Sequence, residues 1–244
     1  MPHVFSMFAL FRAPSPGLDN AMKSVATHAH FTGASVLFAL VVLGLGACSS
    51  LRPQPRATVY DFGPGSVAAP ASTRSAPLPT LVLAEVDASP ALDSTAVMYR
   101  LAYSDAQQLR PYALTRWSMP PAQLLRQRLR EQLGQRRAVL QAAQGVVVGQ
   151  PVMSLHLDLD EFSQLFASEQ HSSGLVRMRA TLGQGGGGAE RLLAQRSFVV
   201  QRPAHGGDAA GGVRALTEAA DAVIAEIEQW LQQVEQAQTP LVLR

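Results

Sequence analysis

The chain has 244 residues, room for one ordinary domain with export and linker segments, and its 47% hydrophobic content is too high for a disordered protein. Basic residues number 20 against 18 acidic, with Lys23 the sole lysine. Losing Arg12, Lys23 and Asp19 with an export segment leaves near-neutrality, so no charge excess points to nucleic acid. A single cysteine, Cys48, excludes an intramolecular disulfide and a multi-cysteine zinc site.

Residues 34–47, ASVLFALVVLGLGA, carry no charge and follow Lys23, His28 and His30. Fourteen residues suit the apolar core of a signal peptide and fall short of a comfortable membrane span. The run ends Leu45-Gly46-Ala47-Cys48, which resembles the bacterial lipobox: small residues fit the peptidase beside the cut, and the thiol receives a diacylglyceryl group. Cleavage between Ala47 and Cys48 and lipidation of Cys48 are therefore expected, with the protein held at a membrane facing the periplasm. An uncleaved anchor or a buried helix with an incidental cysteine is the alternative, and it leaves LGAC unexplained. Met1 to Ala21 is long for the start of such a segment and holds Pro14 and Pro16, whereas Met22-Lys23 reads as an ordinary start. Ser49 stands where Asp would favour the inner membrane, which leans toward the outer one.

From Ser49 to Pro79 the chain is rich in Pro, Ala, Ser and Arg and reads as a tether, with Val59 to Phe62 a short exception. Leu81 to Val86, bounded by Pro79 and Pro90, reads as a buried strand. Thr95 to Tyr103 and Tyr112 to Trp117 are aromatic-bearing strands. After Pro120-Pro121, Ala122 to Leu133 forms a helix with Ala122, Leu125, Leu129 and Leu133 on one face, Arg126, Arg128 and Arg130 elsewhere, and Gly134 as its stop. Ala138 to Leu140 and Val146 to Val148 are short apolar patches.

Met153 to Phe162 alternates apolar and polar residues, and Leu175 to Leu182 repeats the pattern. Leu192 to Val200 follows across a hairpin loop at Gly185 to Gly188, completing an antiparallel meander. Gly212 to Gln236 carries Val213, Leu216, Ala220, Val223, Ile227, Trp230 and Val234 at steps of three and four, a helix that covers the sheet in preference to forming a coiled coil. The fold class is α+β: a mostly antiparallel sheet with two amphipathic helices packed on one face. The implied organisation is a signal peptide over 1–47, a lipidated N-terminus and flexible tether over 48–79, a domain over 80–236 and a tail over 237–244.

His156, Asp158 and Asp160 share one strand face, but alternate residues lie about 7 Å apart along a strand. Cross-strand pairing with Arg177 and Arg179 accounts for the carboxylates more simply than a metal does. No nucleophile elbow, phosphate loop or H-E-x-x-H motif occurs, so the chain reads as no enzyme, with no cofactor or metal beyond the lipid on Cys48. Tyr99, Tyr103, Tyr112, Arg116 and Trp117 fall in the aromatic and Arg-rich part of the chain, a composition favoured at protein interfaces and equally found in a half-buried strand pair.

The order of a lipobox, a Pro/Ala tether, LVLAEV, YRLAYSDAQQLRPYALTRWSMPPAQLLRQRLREQL, MSLHLDLDEF, a Gly-rich hairpin and a final amphipathic helix resembles the PqiC-like auxiliary lipoproteins of ABC-type transport systems. The resemblance runs from Leu81 to Val234 and is most specific at Tyr112 to Trp117 followed by the helix from Pro120. It implies a periplasmic part that works with an MCE-type substrate-binding protein and an ABC permease and ATPase, moving lipids or other hydrophobic molecules between the membranes. A homo-oligomer is compatible with it. A hydrophobic-ligand-binding lipoprotein and an outer-membrane assembly factor remain the alternatives; the first needs a cavity lined by the sheet.

Overall fold

The structure is a computed structural model that describes residues 55–65, 78–141, 152–185 and 190–238. The expected signal peptide, Cys48, the Val146 to Val148 patch and the tail after Gln238 lie outside the described residues. The strands are β1 (Thr58–Tyr60), β2 (Leu81–Ala88), β3 (Ala96–Leu101), β4 (Ala106–Trp117), β5 (Val139–Gln141), β6 (Val152–Phe166), β7 (Ser172–Gly185) and β8 (Glu190–Pro203). The helices are a single turn, α1 (Ala102–Asp105), then α2 (Pro121–Gly134) and α3 (Ala209–Gln238).

Strand β6 organises the sheet. Along one edge it pairs antiparallel with β7 from Val152 to Phe166, and β7 pairs antiparallel with β8. Along the other edge it takes two strands in succession: β2 runs parallel to Met153–Leu159, and β3 runs parallel to Gln164–Phe166. The sheet therefore divides into a β2–β5 wing and a β3–β4–β1 wing. The α+β class and the meander follow the sequence pattern. Strand direction does not, because alternation specifies which side faces the core and is silent on direction. Four pairings are parallel (β1 with β4, β2 with β5, β2 with β6, β3 with β6), while the two antiparallel ladders of the meander, β6 with β7 and β7 with β8, are the longest.

One face is apolar and covered. Met153, Leu155, Leu157 and Leu159 of β6 and Val176, Met178, Ala180 and Leu182 of β7 are buried, facing Leu216, Val223, Ile227 and Trp230 of α3. Each such side chain contributes on the order of 1.5–3 kcal/mol by leaving water. Gly174 of β7 lets α3 approach closely, since a Cβ there would strike the backbone of Ala215 and Leu216. Helix α2 begins with Pro121 at its first position, where a missing N–H costs nothing, and buries Leu125, Leu129 and Leu133.

Several sequence expectations are corrected. Strand β3 ends at Leu101 and the chain turns through α1, so Tyr103 lies outside the strand assigned to it. The exception at Val59 to Phe62 is structural: β1 pairs with β4, and Phe62 is buried. Arg128, which the spacing sets off the packed face of the helix, is nearly buried. It is 9% exposed, donates to the Phe62 carbonyl, and pairs with Asp221 of α3 at 3.3 Å. Burial pushes the Asp221 carboxyl up, against the downward pull of Arg128.

Candidate interaction surface

The five residues singled out by composition separate into three environments. Trp117 is 1% exposed, its ring edge-on to Phe62 at 5.5 Å and to Phe162 at 5.7 Å. It is a core residue and no part of a partner surface. The sequence offered burial as an equal reading of this strand pair, and at Trp117 burial is what the fold uses. Its backbone N–H donates to Thr95, and Ser118 N–H donates to Tyr60, so the β4 end is stitched to both β1 and the β3 approach. The indole Nε1 has no acceptor among the described residues.

Tyr99 and Tyr112 meet on adjacent strands with ring centroids 4.6 Å apart, and Tyr99 stands edge-on to Phe166 at 6.1 Å. Tyr112 Oη donates to Gln164 Oε1 at 2.8 Å, and Gln164 Nε2 donates to Ser172 Oγ at 2.8 Å and toward the Gly206 carbonyl at 3.5 Å. Gln164 is fully buried, so each of these bonds satisfies a group that would otherwise be orphaned. The Tyr112 hydroxyl is pushed up to about 12, first by burial and then by Tyr99 and Asp208. Asp208 caps α3: its Oδ1 accepts from Gly211 N–H at 2.7 Å. Within the first turn of α3, a side chain at Gly212 would collide with the Gln164 amide and one at Gly211 with the Gly206 carbonyl.

Arg116 does not reach outward freely either, since its Nη1 donates to the carbonyls of Tyr112 at 2.5 Å and Thr115 at 2.8 Å, within its own strand. Neighbouring Arg100 grips Glu161 with two bonds, at 3.2 and 2.9 Å, and reaches the carbonyls of Ala106 and Gln107, fixing the turn at α1. On that turn Tyr103 is 47% exposed. It alone of the five presents a largely free aromatic face.

Sequence reading missed Gln164, Ser172, Gly206 and Asp208, which tie β4, β6, β7 and α3 together. Asp208, three residues before Gly211, carried a helix-cap signal; Gln164 carried none, since a lone glutamine after a periodic strand reads as surface. On the open face, Arg179 pairs with Asp160 at 3.6 Å and stands opposite Asp158, and a bulge after Leu159 sets Arg177 opposite Glu161. The His156 ring lies 3.3 Å from Glu190. The apolar face of the sheet is filled by α2 and α3. A groove of about 580 Å³ opens on the flank of α3, between Tyr60–Gly63 and Val213–Glu218.

A family model described as the ABC-type transport auxiliary lipoprotein component matches residues 60–228. No curated protein matches the chain. Among solved structures, a Xanthomonas campestris protein of the DUF330 family superposes with a TM-score of 0.60 at 22% identity, covering 75% of this chain and 99% of its own. A second, an uncharacterized protein, superposes with a TM-score of 0.52 at 16% identity, covering 72% of this chain and 99% of its own. Likeness at these identities shows a shared fold.

Proposed function

Starting from the fact that this chain belongs to the ABC-type transport auxiliary lipoprotein family, we propose that it is a non-catalytic docking component of an envelope transport system for lipids or other hydrophobic molecules. In this reading Cys48 carries the lipid, the domain faces the periplasm, and the outer membrane is the more favoured anchor. The partners are an MCE-type substrate-binding protein with its ABC permease and ATPase, and the motor belongs to them.

The observation that carries the reading is the extent of the family match, from Tyr60 in β1 to Glu228 in α3, nearly the whole described domain. Within it the β4–α2 junction is a packed structural unit, with Trp117 buried against Phe62 and Phe162 and Leu125 buried on the helix that follows. Filling of the sheet's apolar face by two helices argues against a ligand carrier that would need that space.

The test is an affinity pull-down of the full-length lipoprotein from gently solubilised envelopes, with Cys48→Ala as the control and mass spectrometry of what is retained. Co-recovery of an ABC permease or an MCE-type protein, with a lipid mass on Cys48, is expected. Recovery of a barrel protein alone, or of a bound small molecule without a partner, overturns it.

A further inference from the structure

We propose that the β1–β4 edge of the domain lies against the lipid surface of the membrane that holds Cys48. The inference rests on the lipidation of Cys48 proposed above and adds an orientation to it. Had the tether run to Pro79, its extended length would be about 110 Å. Because β1 is built into the sheet, only the residues between Cys48 and Pro55 separate the anchor from the first described residue, and fully extended they would reach about 25 Å. The edge that begins at Pro55 is therefore the part of the domain that the anchor holds nearest the bilayer.

The chemistry of that edge fits the location. Val59 is 61% exposed and Leu114 is 45% exposed. Val59 stands opposite Arg116 in the ladder and Leu114 precedes Arg116 by two, so both lie on the sheet face opposite Tyr60 and Trp117. Such side chains on adjacent strands are close enough to form one small apolar patch. Arg56, also exposed and two residues before β1, has no acidic partner among the described residues, and an exposed cation at the start of this edge suits anionic phospholipid. Val199 on β8 is equally exposed, at 58%, but belongs to the far edge of the sheet. Five strand spacings, each twisting by about 20–25°, turn its face roughly 100° or more away from the β1 edge.

Variants with one introduced cysteine, Val59→Cys, Leu114→Cys and Val199→Cys of the full-length lipidated protein, each carrying a nitrobenzoxadiazole probe, test the assignment in vesicles of phosphatidylethanolamine and phosphatidylglycerol. The lipid blocks Cys48, leaving the introduced thiol as the labelling site. The expected result is several-fold stronger quenching by a nitroxide-bearing lipid at positions 59 and 114 than at 199, with emission shifted to shorter wavelength. Flotation of lipidated protein with equal quenching at all three sites overturns the docking alone. Absence of a lipid mass on Cys48 together with failure to float overturns the anchor and the docking together. Shielding at 59 and 114 only after envelope proteins are added assigns the edge to a protein and overturns the lipid assignment.

Discussion

The two halves of β6 use one strand in opposite ways. From Met153 to Leu159 every inward residue is aliphatic, the neighbours β2 and β7 supply more of the same, and the strand is held by dispersion and water exclusion. From Glu161 to Phe166, past the bulge, the buried set includes Ser163 and Gln164, while Glu161 is gripped by Arg100. The first half is expected to be sensitive to lost volume and the second to lost partners. Cost in the first follows cavity size, and in the second it follows the number of polar groups left unsatisfied.

The largest effects are expected where volume is removed. Trp117→Ala empties the meeting point of Phe62 and Phe162 and is expected to cost about 3–5 kcal/mol, and Leu157→Ala about 2–5 kcal/mol. Urea unfolding followed by tryptophan fluorescence for Leu157→Ala, and by circular dichroism for both, gives the two values. A Trp117→Ala loss below about 1 kcal/mol would mean that the β4 end is not part of the cooperative core.

Gln164→Leu keeps approximate volume and removes polarity, so it isolates the second mode. Tyr112 Oη, Ser172 Oγ and the Gly206 carbonyl would lose their shared partner, at about 1–3 kcal/mol for each group that finds no water. If Gln164→Leu proves neutral in urea unfolding, the difference between the two halves of β6 is one of composition and not of energetics.

This difference also explains what could be read beforehand. Period-two alternation from Met153 to Leu159 and Val176 to Leu182, and the three-four spacing in α3, report a one-sided environment directly, and those elements match the sequence expectation. The β3–β4 wing carries no such period, because its register slips between Ala96 and Met98 and five residues of β4 pass against two of β3. Burial of Arg128 and Gln164 and of the Trp117 ring depends on segments distant in the chain, Phe62 and Gly206 among them. A local window does not contain that information. The candidate surface was accordingly the least readable part: an Arg- and aromatic-rich stretch has the same composition whether it faces a partner or folds inward.

Tyr112→Phe is a gentler probe of the same hub, expected to cost about 1 kcal/mol through one lost hydrogen bond. It has a distinctive pH signature. The folded hydroxyl titrates near 12 against an ordinary value of 10.0, so the unfolded chain releases its proton first as pH rises. The corresponding stability is fully present below about pH 10 and is lost as pH climbs toward 12. Urea midpoints measured across that window should fall more steeply for the unsubstituted protein than for Tyr112→Phe; equal slopes would show that the hydroxyl is not protected in the folded state.

The smallest effect on stability is expected at Tyr103. At 47% exposure on a single helical turn, its ring makes no aromatic contact among the described residues, in contrast to Tyr99 and Tyr112 four and nine residues away. Tyr103→Ala should change unfolding free energy by less than about 0.5 kcal/mol. A half-exposed tyrosine on a turn clamped by Arg100 is rigid and amphipathic, the combination that makes tyrosine effective at interfaces. If this turn contacts a transport partner, Tyr103→Ala will lower partner recovery in the envelope pull-down while leaving the urea midpoint in place. Unchanged recovery would remove Tyr103, the most exposed of the five sequence-selected residues, from the partner surface.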